Sequence, residues 1–66
     1  MKRVDHIDRA ILKVLFQLHG WVNTNQIADR VGIAWQTAEN HLDKLNNFGY
    51  VVKGKKGTSF YWRANQ

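Results

Sequence analysis

The 66-residue sequence contains no cysteine and no proline, and it has no long apolar run. Without cysteine the chain can form neither a disulfide framework nor a cysteine-ligated zinc site. No apolar stretch approaches the length that spans a membrane, and no signal peptide is evident, which together suggest a cytoplasmic protein. The length predicts one small domain, residues 1–66, that buries only about 60% of its unfolded surface.

Acidic residues are also missing from the last third of the chain. Residues 1–46 carry six lysines or arginines and five acids, whereas residues 47–66 carry four basic residues and no acid. The net charge of +5 is therefore concentrated near the C-terminus. A clustered positive field attracts polyanions, although the same charge could simply keep a small domain in solution.

Because proline is absent, glycines divide the first three quarters of the chain into segments with helical periodicity. The first predicted helix covers residues 6–19, with Asp5 as its N-cap and Asp8 favourably placed for the helix dipole. A second helix is predicted over 24–31, after a capping-box pattern that begins at Asn23. A third is predicted over 35–48, and a glycine follows each helix as its stop.

After the third helix the pattern changes to that of strands. Residues 50–53 and 59–63 are β-branched and aromatic runs, and the Gly-Lys-Lys-Gly segment at 54–57 suits the connection of a hairpin. A short extended link at 21–22 precedes the second helix. The predicted fold class is therefore α+β, with three helices, a short strand after the first helix and a C-terminal β-hairpin.

Two segments carry a resemblance to a known family. Residues 26–33 have an apolar-Ala, two polar, apolar, Gly, apolar order, and residues 38–51 combine apolar spacings of four and three with a Gly-Tyr-Val exit. Together with the element order, these segments resemble the winged helix-turn-helix family over about residues 6–63. The chain is similar in particular to small repressors of the arsenic-resistance and multiple-antibiotic-resistance types.

The resemblance implies a double-stranded DNA-binding protein that regulates transcription. Helix 35–48 would read the major groove, and the wing at 53–57 would contact the DNA backbone or minor groove. Two positions depart from the family pattern: Ala34 replaces the usual Ser or Thr cap, and Asn40 replaces an arginine common in the recognition helix. The operator preference of the family is therefore not carried over.

The predicted base-reading residues are Gln36, Thr37 and Asn40. When the apolar side of the third helix faces the core, Gln36 and Asn40 lie on the opposite side, with Thr37 beside them. Amide side chains can make bidentate contacts to adenine. An amide-rich exposed helix can also be merely solvated.

A second predicted set contacts the DNA backbone, from the wing or from the helices. It comprises Thr24, Asn25, Trp35, Lys44, Lys53, Lys55, Lys56 and Arg63. Trp35 could equally wedge against the second helix. Residues 1–4 are a candidate flexible arm, to which Lys2 and Arg3 give a positive charge.

The sequence also permits a protein-interaction module. Leu12 and Phe16 lie opposite the main apolar face of the first helix, so they form a candidate dimer surface unless the fold covers them. The simplest partner would be a second copy of the chain, as a homodimer on a pseudo-palindromic site. A winged domain for left-handed DNA is a third interpretation, supported by Trp62. Glu39 and Asp43 replace that family's key asparagine and tyrosine, and its prolines are missing.

No feature of the sequence indicates an enzyme. It has no nucleophile–base pair, phosphate loop or dinucleotide fingerprint, and its three histidines lack close metal-ligand spacing. We therefore expect no catalytic residue, no metal, no cofactor and no small-molecule effector.

Overall fold

The computed structural model describes residues 4–65, so the predicted basic residues Lys2 and Arg3 lie outside the described part. In chain order the elements are α1 (His6–Leu18), β1 (Val22–Asn23), α2 (Thr24–Val31), α3 (Trp35–Phe48), β2 (Val51–Lys56) and β3 (Ser59–Ala64). The α+β class and the order of elements are thus confirmed. α1 ends one residue before the predicted end, because His19 leaves the helical region with a φ of 39°. No helix within residues 4–65 is long and apolar enough to cross a membrane.

Side-chain caps fix the starts of the first two helices. Asp5 accepts a hydrogen bond from the Asp8 N–H at 2.9 Å, and the Asp8 carboxylate accepts one from the Asp5 N–H at 3.1 Å. Asn23 and Gln26 make the same reciprocal pair at the start of α2, which confirms the predicted capping box. α3 has no side-chain cap at Ala34. A missing cap costs about 1 kcal/mol, so tertiary packing must hold the start of α3.

The hairpin turn is shorter than the sequence suggested. The predicted connection at 54–57 is largely strand, since β2 continues to Lys56, which pairs with Ser59. Gly57 and Thr58 alone form the turn, and only Gly57 has a positive φ, of 63°. Positive φ at the first central residue is the requirement of a type II′ turn, which matches the twist of the flanking strands.

The core lies between the three helices and one face of the sheet. Its buried cluster comprises Ile11, Leu15, Val22, Ile27, Leu42, Leu45, Val51, Trp62 and Ala64. The sheet is antiparallel in the order β1-β3-β2. Because side chains alternate along β3, Trp62 points into the core while Tyr61 and Arg63 point to the opposite face. That outer face of the sheet is left uncovered by the helices.

The two residues of the candidate dimer surface separate in the structure. Leu12 is partly buried and packs against the core, so the fold covers much of it. Phe16 is 48% exposed. Phe16 is therefore the large apolar side chain that α1 presents to solvent.

Candidate nucleic-acid interface

Two amide side chains occupy the outward side of α3. Gln36 and Asn40 are exposed, one helical turn apart, and Nε2–H of Gln36 donates a hydrogen bond to Oδ1 of Asn40 across 3.2 Å. This bond leaves the carbonyl of Gln36 and the amino group of Asn40 unused between them, so the pair can both accept and donate further hydrogen bonds. Thr37 is half-buried and is less accessible than the amides.

A groove of about 200 Å³ separates α3 from the hairpin. Its walls come from the start of α2, one side of α3 and the hairpin turn: Asn23, Thr24, Asn25, Trp35, Glu39, Thr58, Ser59 and Phe60. Trp35 is 54% exposed, so its indole stands at the groove edge and is not a buried wedge against α2. On α3 the row of Trp35 and Glu39 lies beside the row of Gln36 and Asn40. The amide row is therefore adjacent, on α3, to the row that lines the groove.

The start of α2 brings two polar side chains to this groove. Oγ1 of Thr24 accepts a hydrogen bond from the indole N–H of Trp62 at 2.9 Å. A hydroxyl that accepts in this way keeps its own hydrogen for donation to another group. Asn25 is exposed beside it. Backbone N–H groups in the first turn of a helix favour a nearby anion, so this corner has the chemistry for a phosphate oxygen.

Strand alternation divides the lysines of the hairpin between its two faces. Lys53 pairs across the strands with Trp62, and Lys55 pairs with Phe60, so both lysines lie on the helix side of the hairpin. Lys56 lies on the outer face. The Lys55 ammonium is 5.7 Å from the centre of the Phe60 ring, which lines the groove. Within residues 4–65, no acid lies within 4 Å of the Lys55 or Lys56 ammonium.

Lys53 is held more closely than its neighbours. Its ammonium lies 3.3 Å from Oδ1 of Asp43 and 4.3 Å from the centre of the Phe60 ring. Both members of this ion pair are partly exposed, and such pairs contribute at most about 1 kcal/mol. Lys53 can therefore exchange Asp43 for a phosphate at little energetic cost.

Lys44, predicted to contact the DNA backbone, is held by an ion pair in the fold. Its ammonium lies 2.6 Å from Oδ2 of Asp8 and 3.5 Å from Oδ2 of Asp5. Asp8 is completely buried, and its other oxygen is 2.7 Å from Nδ1 of His41. Lys44 and His41 thus tie α3 to the start of α1, and a phosphate would have to compete with both carboxylates for Lys44.

The ion pair also shifts the protonation of its exposed members. The Asp8 backbone N–H, aided by the Lys44 and His41 charges, holds the pKa of Asp5 below its usual 3.8. The hydrogen bond to Asp8 raises the pKa of Lys44 above its usual 10.5, and the charges of both carboxylates add to this. Both shifts favour the charged forms that pair in the fold.

The same cluster is the natural place to look for a metal ion. Ligand atoms of Asp5, Asp8 and His41 lie within 4.8 Å of one another. The Lys44 ammonium already contacts both carboxylates, at 3.5 Å from Asp5 and 2.6 Å from Asp8, and the His41 ring lies against Asp8, so the three groups are partners in an ion-pair network. The cluster therefore connects α1 to α3.

Two acidic residues near α3 escaped the sequence-based assignment. Asp8 was expected only to favour the helix dipole, yet it shares the buried side of α1 with Ile11 and Leu15 at spacings of three and four. Those spacings were the signal that could have revealed it. Glu39, for which the sequence predicted no contact, lines the groove. No signal in the sequence distinguishes that position from a solvated one.

Arg63 lies apart from the groove. It points to the outer face of the sheet, where its guanidinium is 5.2 Å from the centre of the Trp21 ring. The predicted backbone-contacting set is therefore split by the fold. The groove side holds Thr24, Asn25, Trp35, Lys53 and Lys55, whereas Lys56 and Arg63 are on the outer face.

Comparison with known proteins agrees with this architecture. In Mycobacterium bovis, the homodimeric winged helix-turn-helix DNA-binding domain of a possible ArsR-family transcriptional regulator is 29% identical, with a TM-score of 0.82. The match covers 94% of this chain and 56% of that chain. A crystal structure of a possible transcriptional regulatory protein from the same organism is also 29% identical, with a TM-score of 0.73 over 86% of this chain and 62% of that one. This chain thus spans less than two thirds of both.

A more distant likeness extends the fold comparison. The Zalpha domain of Carassius auratus PKZ, solved in complex with Z-DNA, is 24% identical with a TM-score of 0.79, over 88% of this chain and 90% of that chain. At that identity the likeness concerns the fold alone. Among curated protein sequences, none matches this chain. A family model described as winged helix-turn-helix DNA-binding matches residues 4–52, which is most of the sequence. The chain belongs to the winged helix-turn-helix DNA-binding family.

Proposed function

We propose that this chain binds double-stranded DNA as part of a transcriptional regulator, with α3 in the major groove. The observation that carries the proposal is the hydrogen-bonded pair of Gln36 and Asn40, exposed beside the groove that the hairpin borders. The major groove of B-DNA admits an α-helix, whose N-terminal half then meets the base edges. Both amides lie in the first half of α3.

The amide pair suits adenine. Adenine presents an acceptor and a donor in the major groove, which the amino group of Asn40 and the carbonyl of Gln36 complement. Their mutual hydrogen bond holds both side chains in one arrangement before DNA arrives, which lowers the entropy cost of ordering them. Thr37 can add a contact to a thymine methyl group. Each good amide contact discriminates between bases by about 1–3 kcal/mol.

Phosphate contacts would come from the groove side of the hairpin and the start of α2. Lys55 has no acidic partner within residues 4–65, and Lys53 can release Asp43 for a phosphate. Thr24 and Asn25 would hold a second phosphate at the α2 N-terminus. Trp35, at the groove edge, would lie along the sugar–phosphate backbone.

One acidic residue bears on the tilt of α3 on the duplex. Asp43 lies in the second half of the helix. Carboxylates repel phosphates, so the second half of α3 would stand away from the DNA backbone while its first half enters the major groove. The proposed activity is binding, through amides, hydroxyls and aromatic rings that line the groove beside the carboxylate of Glu39.

We further propose that two copies act together. The Mycobacterium bovis domain is homodimeric, and α1 here presents Phe16 to solvent. A twofold contact through Phe16, with Leu12 at its margin, would place two recognition helices on a pseudo-palindromic site. In a cell without a nucleus this DNA lies in the cytoplasm, which is the proposed location.

Selection of bound duplexes from a random pool, at two salt concentrations, tests the DNA-binding proposal. We expect an enriched, adenine-containing motif at both salt concentrations. Less DNA should be retained at the higher concentration, because phosphate contacts release counterions. Asn40→Ala should lose the preference at one base position while retaining the fold, as judged by circular dichroism. Asn47→Ala is the matched control, since Asn47 is an exposed amide in the last turns of α3.

The same selection also separates the competing functions. Retention without an enriched motif would mean general duplex binding and would contradict base reading by α3. Loss of retention at both salts would instead support the protein-interaction module. Analytical ultracentrifugation of Phe16→Ser against the original chain, with and without the selected duplex, tests the dimer contact. An unchanged sedimentation coefficient in both conditions would exclude Phe16 from that contact.

A further inference from the structure

The outer face of the sheet carries a cavity of its own, about 320 Å³ in volume. It is lined by Trp21, Gly54, Lys55, Lys56 and Tyr61. The indole and phenol rings form its apolar walls, and the strand backbone at Gly54 forms its floor. Gly54 and Tyr61 are on the side of the sheet opposite the helices, and of the proposed duplex-contacting residues this cavity shares only Lys55.

Gly54 determines where the Trp21 ring lies. A Cβ atom at position 54 would come within 2.9 Å of Cζ3 of Trp21 and within 3.1 Å of its Cη2. Real side chains essentially never show so short a contact, so the ring can rest here only because residue 54 lacks a side chain. Trp21 nevertheless remains 51% exposed. The chain thus holds a large flat ring in a fixed place without burying it.

The charge around this cavity has one sign. Gly54 pairs with Tyr61 across the strands, and Lys56 and Arg63 lie two residues to either side of that pair, about 7 Å away along the strands. All five acids of the chain lie outside the sheet, at the start of α1 or in the helices. An occupant should therefore combine flat apolar faces with anionic groups on both sides.

Single-stranded nucleic acid has this combination, since each unpaired base has two ring faces and is flanked by phosphates. Stacking on aromatic side chains next to a basic track is the common way in which proteins hold single strands. A peptide is disfavoured because β3 is the central strand and its backbone is already paired with β1 and β2. A peptide backbone lying across the sheet would find no hydrogen-bond partners there, whereas base edges at this open cavity stay in water.

We propose that the outer face of the sheet is a second nucleic-acid site, which binds unpaired bases of a single strand against Trp21 and Tyr61. Lys56 and Arg63 contact the flanking phosphates. The Arg63 guanidinium lies over the Trp21 ring, 5.2 Å from its centre, so a change of side-chain rotamer can move it from the ring to a phosphate. Bases inside a duplex are stacked on each other and are not available to these rings.

Fluorescence anisotropy with three labelled probes tests the site: a 12-nucleotide oligothymidylate, an abasic strand of equal length, and a 12-base-pair duplex. The intact chain should bind the oligothymidylate at least about fivefold more tightly than the abasic strand, because only the former can stack. Trp21→Ala should reduce that difference, since Tyr61 alone then remains for stacking, and should leave abasic-strand and duplex binding unchanged. Trp35→Ala gives the reverse comparison: Trp35 is similarly exposed but belongs to the proposed duplex contacts, so its removal should lower duplex affinity and leave the difference between oligothymidylate and abasic strand intact.

The outcomes separate this proposal from duplex binding. Equal affinity for the abasic strand and the oligothymidylate, or an undiminished difference in Trp21→Ala, would overturn the stacking site. A loss of the oligothymidylate preference in Trp35→Ala but not in Trp21→Ala would place the single strand in the α3 groove instead. Lys56→Ala combined with Arg63→Ala keeps both rings and should still lower oligothymidylate affinity. Capture of an acidic, aromatic peptide by this face without any strand binding would also contradict the proposal.

Discussion

Two lysine-bearing regions of the molecule behave in opposite ways. At the junction of α1 and α3, the Lys44 ammonium lies 2.6 Å from a completely buried carboxylate of Asp8. On the hairpin, Lys55 lies 5.7 Å from an aromatic ring, with no acid nearby in the described part of the chain. Residue type alone does not distinguish these two lysines. The neighbouring element decides whether a cation holds the fold together or remains available to a partner.

Removing the buried carboxylate should produce the largest effect. Asp8→Ala removes the buried partner of Lys44 and His41 and leaves them only the more distant Asp5, so we expect a loss of about 2–4 kcal/mol in the free energy of unfolding. The loss is set below that of a fully buried pair because Lys44 is partly exposed. Urea denaturation measures it. The control is Asp29→Ala, an exposed acid on α2, which should change stability by less than about 0.5 kcal/mol. Equal losses of unfolding free energy in the two variants would contradict the structural role of Asp8.

Truncating the base-reading amides should give the next largest effect. Gln36→Ala should reduce discrimination at its base pair by about 1–3 kcal/mol while leaving affinity for unrelated duplexes nearly unchanged. Competition binding with single-base variants of the selected duplex measures this. If Gln36→Ala instead weakened all duplexes to the same extent, the residue would be a backbone contact.

The two lysines can then be compared directly. Lys55→Ala should lower the slope of log affinity against log salt by about 0.9, the value for one lost phosphate contact. Lys44→Ala should leave that slope unchanged and lower thermal stability instead. The test is duplex affinity at several salt concentrations, beside melting curves of the same preparations. A lower salt slope in Lys44→Ala together with an unchanged slope in Lys55→Ala would make Lys44 the phosphate contact and contradict both assignments.

The smallest effect should be the pH dependence of stability, because both shifted groups are partly exposed and screened by water. Asp5 has a lowered pKa, so its contribution is full above 3.8 and is lost as pH falls through the lower folded-state value. Lys44 has a raised pKa, so its contribution is full below 10.5 and is lost as pH rises through the higher folded-state value. Melting temperatures should therefore decline at both extremes, with the alkaline decline reduced in Lys44→Met. If the melting temperature of Lys44→Met fell at alkaline pH by as much as that of the original chain, a group other than Lys44 would cause the decline.

Local signals were enough to predict most of the fold. Helix caps act within one turn of the chain, so the sequence alone is enough to predict them. Examples are the reciprocal cap of Asn23 with Gln26 and the glycine stop at Gly49. The hairpin turn was misplaced because Gly54 also marks a turn by its type, whereas here it makes room for Trp21, 33 positions earlier in the chain. The contact of Lys44 with Asp8 likewise joins elements far apart in sequence. Contacts of this kind depend on how the helices and sheet pack, which periodicity does not specify.

The hydrogen bond from Trp62 to Thr24 has a consequence for how a phosphate would be met. A threonine hydroxyl on a helix surface normally rotates freely, so its hydrogen points in no single direction. Here the indole N–H occupies one lone pair of Oγ1 at 2.9 Å, which restricts the rotor to orientations that turn its hydrogen away from the core. The most deeply buried ring of the protein thereby aims a donor at the surface. Trp62→Phe would keep much of the ring volume while releasing that rotor.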